Sequence, residues 1–110
     1  KIGVPMDGLS GAITALLDDV QRAMLAKAMA FRDEHTQRTT RYDEFKAMLE
    51  GRPGFVLAPW CGGASCEADI KVETQATIRN IPFSSEPATG KACVKCGGPA
   101  AVHAWFAKSY

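Results

Sequence analysis

The sequence contains four cysteines in two pairs, Cys61 with Cys66 and Cys93 with Cys96, separated by four and two residues respectively. Glycines flank both pairs, at positions 62, 63, 97 and 98. Two tight turns that each supply two thiolates can build the closed tetrahedral site typical of structural zinc. Small residues in such turns let backbone amides turn inward and donate to the sulfurs. The spacing therefore predicts one structural zinc ion per chain.

Other uses of these cysteines stay open from the residues alone. A disulfide framework is disfavoured because no signal-peptide pattern precedes the first amphipathic segment and a chain of this length can build a core without staples. Four unrelated free thiols seldom fall into two close, glycine-flanked pairs. Catalytic zinc needs an open coordination position, which four thiolates would close. Lys91 and Lys95 lie beside the second pair, and we expect them to offset the net negative charge of a four-thiolate site.

The other chemically capable side chains favour structural roles. His103 has no nucleophile or carboxylate pattern beside it, so we interpret it, like His35, as a structural histidine. The acidic pairs at positions 18–19 and 33–34 are typical of solvated helix faces. The rings of Trp60, Trp105 and Phe106 are expected to pack in the core beside the metal site, and the alternative is an exposed platform on which bases stack.

Charge and composition limit the function classes. Arg38, Arg41 and Arg52 offer only a weak contact to RNA phosphates, because acidic residues at positions 43, 44 and 50 interleave with them. A net charge of +1 argues against an autonomous nucleic-acid-binding protein, and 46% hydrophobic residues exclude a disordered tail. No apolar run approaches the roughly 18 residues of a membrane helix. The 110 residues fit a single domain, which we take to span 1–110.

The elements that must position these residues follow from the hydrophobic periodicity. It predicts helices over residues 10–33, 40–51 and 66–74, and strands over residues 1–6, 55–58, 76–81 and 101–106. Thr40 is expected to begin a capping box at the start of the second helix, and residues 35–39 to form a loop. The order β-α-α-β-α-β-β predicts a two-layer α+β domain with its helices on one sheet face.

The stretch Ala-Pro-Trp-Cys-Gly at residues 58–62, the two cysteine pairs and the ending Phe-Ala-Lys-Ser-Tyr at residues 106–110 form a specific combination. In these motifs the chain resembles the C-terminal domain of prolyl-tRNA synthetase, a class II aminoacyl-tRNA synthetase. The helical part is also similar, so the resemblance covers nearly the whole chain. It looks like the archaeal/eukaryotic-like type, in which this domain follows the anticodon-binding domain.

The resemblance implies a two-layer α/β sandwich with a mixed sheet, and zinc held by Cys61, Cys66, Cys93 and Cys96. It implies that the full enzyme is a proline–tRNA ligase, a cytoplasmic homodimer without membrane segments, which activates proline with ATP and magnesium and transfers it to proline tRNA. The catalytic and anticodon-binding domains would lie upstream and be this domain's partners, so the fragment alone is expected to be non-catalytic. Tyr110 is expected to extend its carboxylate towards the active site, and the alternative is a frayed terminus.

Two other function classes stay open at this point. One is a stand-alone zinc module that binds RNA or protein, which an upstream reading frame with class II motifs would exclude. The other is a small redox or disulfide protein, which thiol titration would exclude if zinc protects all four sulfurs.

Overall fold

The structure is a computed structural model that describes residues 3–83 and 86–108. The chain divides into two compact units, Lys1–Glu34 and His35–Tyr110. The first unit contains helix α1 (Leu9–Glu34). The second contains, in chain order, β1 (Thr36–Arg38), α2 (Tyr42–Gly51), β2 (Phe55–Trp60), α3 (Ala64–Thr74), β3 (Ala76–Asn80) and β4 (Val102–Lys108).

Helix α1 confirms the long amphipathic helix predicted over residues 10–33. It follows a turn in which Leu9 N donates to Met6 O at 3.3 Å and Gly8 adopts a φ of +80°. Its 26 residues contain many alanines and no proline, a composition that favours an uninterrupted helix. None of the residues of α1 is buried.

A mixed sheet forms the second unit, as the resemblance implied. Within the described residues its strand order is β1-β2-β4-β3, with β1 parallel to β2 and the other pairs antiparallel. The interior strands β2 and β4 pair Val56 with Phe106 and Pro59 with His103. β3 pairs with β4 at the far edge, and its register shifts between Ile78 and Asn80.

The predicted element order is wrong at its start. Residues 3–6 form no strand, and the remainder of the strand expected over 1–6 lies outside the described residues. The loop expected over 35–39 contains β1, a strand too short and too polar to show alternation. Its backbone is satisfied by β2, because Phe55 N donates to His35 O at 2.9 Å and Thr39 N donates to Leu57 O at 3.2 Å. The α+β class and the later helices and strands are confirmed.

The capping box expected at Thr40 is also wrong. The residue that caps α2 is Arg41, and it makes no side-chain capping bond. Thr39 stabilises this turn instead, because its hydroxyl accepts a hydrogen bond from Arg41 N at 3.1 Å and donates to Glu44 Oε2 at 2.7 Å. The hydroxyl that stabilises the start of α2 therefore belongs to Thr39 and not to Thr40.

The core lies between the sheet and the two helices of the second unit. The rings of Phe45 in α2 and Phe106 in β4 are fully buried and meet edge to face with centroids 5.1 Å apart. The same cluster contains residues of both helices, of three strands and of the turn before β4, namely Leu49, Val56, Ala58, Ile70, Ala76, Val94 and Ala104. Because side chains alternate along a strand, the intervening residues Leu57, Pro59, His103 and Trp105 face the opposite side of the sheet.

Gly54 makes a prediction possible at the β1–β2 junction. A Cβ built on Gly54 would lie 2.3 Å from the carbonyl oxygen of His35, which is backbone and cannot rotate away. We expect Gly54→Ala to lower the free energy of unfolding by about 1–3 kcal/mol, the usual cost of overpacking. The matched control is Gly51→Ala, since no heavy atom lies within 4 Å of its Cβ position. Denaturant unfolding of the two variants checks this, and equal stabilities would contradict it.

Candidate metal centre

Three separate elements bring the four cysteines to one place. Cys61 directly follows the last residue of β2, and Cys66 lies in the first turn of α3. Cys93 and Cys96 lie in a tight turn that precedes β4, closed at its base by a bridge between Ala92 and Pro99. We call residues 92–99 the cysteine turn.

The cysteine turn is bonded directly to the end of β2. Val94 N donates to Pro59 O at 2.9 Å, and just beyond the turn Ala101 N donates to Trp60 O at 2.8 Å. Proline fits at position 59 although β2 is an interior strand. The pairing of β1 with β2 ends at Leu57, so no strand on that side needs a hydrogen bond from the nitrogen of residue 59. Only the carbonyl of Pro59 is used there, because it accepts from Val94 N.

The geometry of the sulfurs fits a tetrahedral metal. The four Sγ atoms all lie within 4.8 Å of one another, and all four cysteines are free thiols, so the disulfide framework is not formed. Four sulfurs at the usual zinc–sulfur distance of about 2.3 Å stand about 3.8 Å apart. The cluster therefore needs only a small contraction to hold one ion, and an all-sulfur donor set suits zinc.

The glycines shape both halves of this cluster. Gly62 and Gly97 adopt φ values of +84° and +72°, in the left-handed region where a side chain is strained. Gly63 N donates to Cys61 Sγ at 3.4 Å, and a Cβ on Gly63 would lie 3.3 Å from the same sulfur. The backbone can thus approach the sulfurs closely, as the sequence predicted.

The thiols differ in electrostatic environment. Burial, followed by the neighbouring Cys61 and Cys96 thiols, raises the pKa of Cys66 to about 12. Burial also raises the pKa of Cys93, but backbone hydrogen bonds at Cys96 and Lys95 outweigh it and bring the pKa to about 7. Four clustered thiolates repel one another, so a bound cation is the natural means of keeping all four deprotonated. The N-terminus of α3, next to Cys66, adds partial positive charge.

Lysines were expected to balance the thiolates, but both form other contacts. Lys91 Nζ lies 3.3 Å from His103 Nε2 and 3.9 Å from Glu86 Oε2. Lys95 Nζ is paired with Glu73 Oε1 and sits 4.6 Å from the centroid of the Tyr42 ring. Both lysines contact carboxylates outside the cysteine cluster because their long, flexible side chains extend well beyond the backbone that carries them.

Glu73 and Tyr42 are the residues that sequence reasoning missed. Tyr42 OH donates to Glu73 Oε2 at 2.9 Å, so one carboxylate receives both the lysine and the phenol. The hydrogen bond with Lys95, followed by that with Tyr42, lowers the pKa of Glu73, and the pKa of Lys95 is raised chiefly by the same hydrogen bond. The pKa of Tyr42 is raised, first by burial and then by its bond to Glu73. Glu73 stands seven residues after Cys66 in one helix, a spacing that places both on one face and was the available signal.

His103 confirms its interpretation as a structural residue. The side chain is buried, and Nδ1 lies 2.9 Å from the carbonyl oxygen of Glu86. A lysine ammonium can only donate, so Nε2 accepts from Lys91 and Nδ1 carries the proton given to Glu86. His103 thereby fastens the segment before the cysteine turn to β4. His35 is half-buried directly before β1, and its carbonyl accepts a hydrogen bond from Phe55 N in β2.

The aromatic and charged residues singled out in the sequence lie in different parts of the structure. Phe106 belongs to the core, Trp60 packs against that core, and Trp105 is half-buried beside a cavity of about 610 Å³ on the other sheet face. No continuous stacking platform forms from them.

The charged residues lie at the surface. Arg41 pairs with Glu44 at 3.4 Å, and Arg38 is exposed on β1. Four acidic residues are exposed on α1, namely Asp18, Asp19, Asp33 and Glu34. Tyr110 lies outside the described residues.

Among the described helices, none combines the length and the apolar character needed to cross a membrane.

Comparisons with known proteins agree on one family. A family model described as the C-terminal part of prolyl-tRNA synthetase matches residues 42–110. Proline–tRNA ligase 2 of Clostridioides difficile is 44% identical over 110 residues, and the match covers 100% of this chain. A proline–tRNA ligase of Symbiobacterium thermophilum is 44% identical over 117 residues, again across 100% of this chain.

A solved structure is similar in fold. It is a crystal structure of prolyl-tRNA synthetase from Cryptosporidium parvum, complexed with halofuginone and AMPPNP, with a TM-score of 0.87 and 29% identity over 99% of this chain. The chain spans 23% of that protein, 23% of the Clostridioides relative and 24% of the Symbiobacterium relative.

Zinc content gives a direct test of the cysteine cluster. We expect the purified chain to carry one zinc per chain by elemental analysis, and Cys66→Ser to lose it because its thiol is a buried member of the cluster. Structural zinc contributes on the order of 10 kcal/mol in small domains, so the variant should unfold far more readily. Ser65→Ala is the control, since its side chain is an exposed neighbour. A chain recovered metal-free, with reduced thiols and full thermal stability, would contradict the site.

The Glu73 carboxylate gives a second, pH-dependent prediction. Its pKa is lowered from 4.5 in the folded state, so its contribution to stability is present above that value and is lost as the pH falls through the folded-state pKa. We expect Glu73→Gln to melt at a lower temperature than the parent chain near pH 7, with the difference shrinking as the solution is acidified below pH 4.5. Glu50→Gln, on an exposed residue of α2, serves as the control. A Glu73→Gln difference that stays constant across the titration would refute this role.

Proposed function

Because the chain belongs to the family of prolyl-tRNA synthetase C-terminal domains, we propose that it is the C-terminal domain of a longer proline–tRNA ligase. The observation that carries this proposal is the pattern of coverage. Relatives at 44% identity align with 100% of this chain but extend over roughly four times its length. The remaining domains would precede it and contain the catalytic and anticodon-binding residues.

The role proposed for the four cysteines is structural zinc binding. Zinc held by Cys61, Cys66, Cys93 and Cys96 would have no open coordination position, so it would neither bind substrate nor activate water. When bound, it would supply cross-linking among the end of β2, the start of α3 and the cysteine turn. Two features support this function: the four Sγ atoms already lie within 4.8 Å of one another, and glycines leave room around them.

The finer features of the enzyme are proposed on the family resemblance. We place the chain in the archaeal/eukaryotic-like type, and the fold similarity to a synthetase from Cryptosporidium parvum supports this choice. The complete ligase would be a cytoplasmic homodimer without a membrane segment. It would activate proline with ATP and magnesium in its catalytic domain and transfer the proline to its tRNA.

The proposed role of Tyr110 is support of the active site through its terminal carboxylate. The support comes from the element that precedes it. β4 lies between β2 and β3 and extends to Lys108, two residues before Tyr110. A paired interior strand at this position suits the proposal that the terminal carboxylate meets another domain at a defined place.

Aminoacylation by the complete polypeptide tests the proposed function. We expect it to charge proline tRNA with proline in the presence of ATP and magnesium, and the isolated 110-residue chain to show no proline-dependent exchange of pyrophosphate into ATP. A complete polypeptide that charges no proline tRNA would overturn the assignment.

The same assay isolates the contribution of Tyr110. Deletion of Tyr110 moves the terminal carboxylate back by one residue and should slow proline activation while the zinc content stays at one per chain. Addition of one glycine after Tyr110 should also slow it, because the carboxylate is displaced outward. Tyr110→Phe retains the carboxylate in place and should be nearly as active as the parent. Unchanged activation in both displaced variants would refute the role.

A further inference from the structure

The four cysteines of the cluster differ in their exposure to solvent. Cys96 is exposed and Cys61 is half-buried, whereas Cys66 and Cys93 are only 7% and 2% exposed. Oxidation of a cysteine requires contact between its sulfur and the oxidant, so it follows exposure. An oxidant in the solvent therefore meets Cys96 before the other three.

Cys93 is the cysteine nearest to Cys96 in the chain. The two lie in the cysteine turn with two residues between them, and their Sγ atoms lie within 4.8 Å of each other. Backbone bonds fold this turn, because Cys93 N donates to Gly98 O at 2.7 Å and Gly97 N donates to Cys93 O at 2.9 Å. A bond between the two sulfurs would compete with neither of these hydrogen bonds. The same two-residue spacing occurs in the reactive cysteine pairs of disulfide oxidoreductases.

The first cysteine pair is less accessible to an oxidant. Cys61 follows β2 and Cys66 belongs to α3, so a bond between these sulfurs would join two separate elements. Gly63 N donates to Cys61 Sγ at 3.4 Å, so a backbone amide already occupies one side of that sulfur. Because Cys66 is buried as well, oxidation at this end of the cluster is disfavoured.

We propose that Cys93 and Cys96 form an oxidation site, at which hydrogen peroxide converts them into a disulfide and displaces the metal. This inference rests on the proposed function, in which the four cysteines hold zinc. It adds a reaction of the cluster itself, in which Cys96 is the entry point and Cys93 is the residue that closes the disulfide.

The reaction proceeds in two balanced steps. The Cys96 thiolate attacks one oxygen of hydrogen peroxide, so that an S–O bond forms, the O–O bond breaks and hydroxide leaves. The Cys93 thiolate then attacks the sulfenic sulfur of Cys96, so that the S–S bond forms, the S–O bond breaks and a second hydroxide leaves. Each hydroxide takes a proton from solvent and becomes water. The two cysteines together lose two electrons, which the peroxide gains.

Disulfide formation removes two of the four thiolates from the cluster. Cys61 and Cys66 alone cannot complete a tetrahedral site, so the zinc leaves. The link that the metal would provide between the cysteine turn and α3 is then lost, and we expect the chain to melt at a lower temperature. Reduction of the disulfide by a dithiol returns both thiolates, and zinc can bind again.

Peroxide treatment of the complete, zinc-loaded polypeptide tests the proposal. We expect limiting hydrogen peroxide to release the zinc, followed with a chromogenic chelator, and to form one disulfide for each zinc released. Peptide mapping by mass spectrometry after alkylation should place this disulfide between Cys93 and Cys96, with Cys61 and Cys66 recovered as free thiols. Dithiothreitol and added zinc should then restore the metal content.

Two glycine variants test the entry point without removing a ligand. A Cβ on Gly98 would lie 3.5 Å from Cys96 Sγ, so Gly98→Ala covers part of that sulfur and should slow zinc release at least about threefold. Gly63→Ala is the matched control, since its Cβ would lie 3.3 Å from Cys61 Sγ and should leave the rate of release unchanged. The zinc content of both variants is measured before peroxide is added.

Three results would overturn the inference. The first is zinc that stays bound in excess peroxide, and the second is a first disulfide that includes Cys61 or Cys66. The third is release from Gly98→Ala that is as fast as from the parent chain. If a glycine variant binds no zinc, the peptide map of the parent chain decides the outcome. Failure of the proposed function appears separately, as a complete polypeptide that holds no zinc before peroxide is added.

Discussion

The second unit depends on the meeting of four thiols that come from three places in the chain. For the sulfurs to lie within 4.8 Å of one another, the end of β2, the first turn of α3 and the turn before β4 must converge. The backbone bonds from Val94 to Pro59 and from Ala101 to Trp60 hold the cysteine turn against the end of β2. Under the proposed function, metal binding would link both of them to the first turn of α3 through Cys66.

Clustering four thiols has an electrostatic cost, and the surrounding backbone offsets part of it. The Gly63 amide donates to Cys61, and the cysteine turn directs backbone donors at Cys93. The two lysines offset less of the thiolate charge than their positions in the sequence suggest. Lys95 is paired with Glu73, and Lys91 contacts His103 and Glu86. The contacts from Lys95 to Glu73 and from Glu73 to Tyr42 have a different effect. They connect the cysteine turn to the last turn of α3 and to the first residue of α2. The same residue that fails to neutralise the site helps to hold it against the helical layer.

β4 connects the cysteine cluster to the C-terminus. The strand begins at Val102, just beyond the cysteine turn, and runs between two neighbouring strands to Lys108. Its Phe106 packs against Phe45 in the centre of the core. Under the proposed function, the stability that the cluster gives to this end of the sheet would help to fix the strand that precedes Tyr110. Under the same proposal, loss of the metal would affect the enzyme through the position of this strand and not through a chemical step at the site.

By itself the sequence determined the elements whose signals are local. The cysteine spacing and its glycines, the amphipathic period of α1 and the apolar run of β2 each contain their own evidence, and the resemblance in the Ala-Pro-Trp-Cys-Gly stretch identified the family. Tertiary structure decided what depends on distant partners. Three polar residues become β1 only because β2 satisfies their backbone, and Thr39 rather than Thr40 stabilises the start of α2 because its hydroxyl reaches both Arg41 N and Glu44. Lys95 pairs with Glu73, 22 residues away in the chain, and not with the thiols next to it in the sequence. Local patterns reveal which groups a segment carries, but the partner of a long flexible or hydrogen-bonding group is decided only once the fold has set the distances.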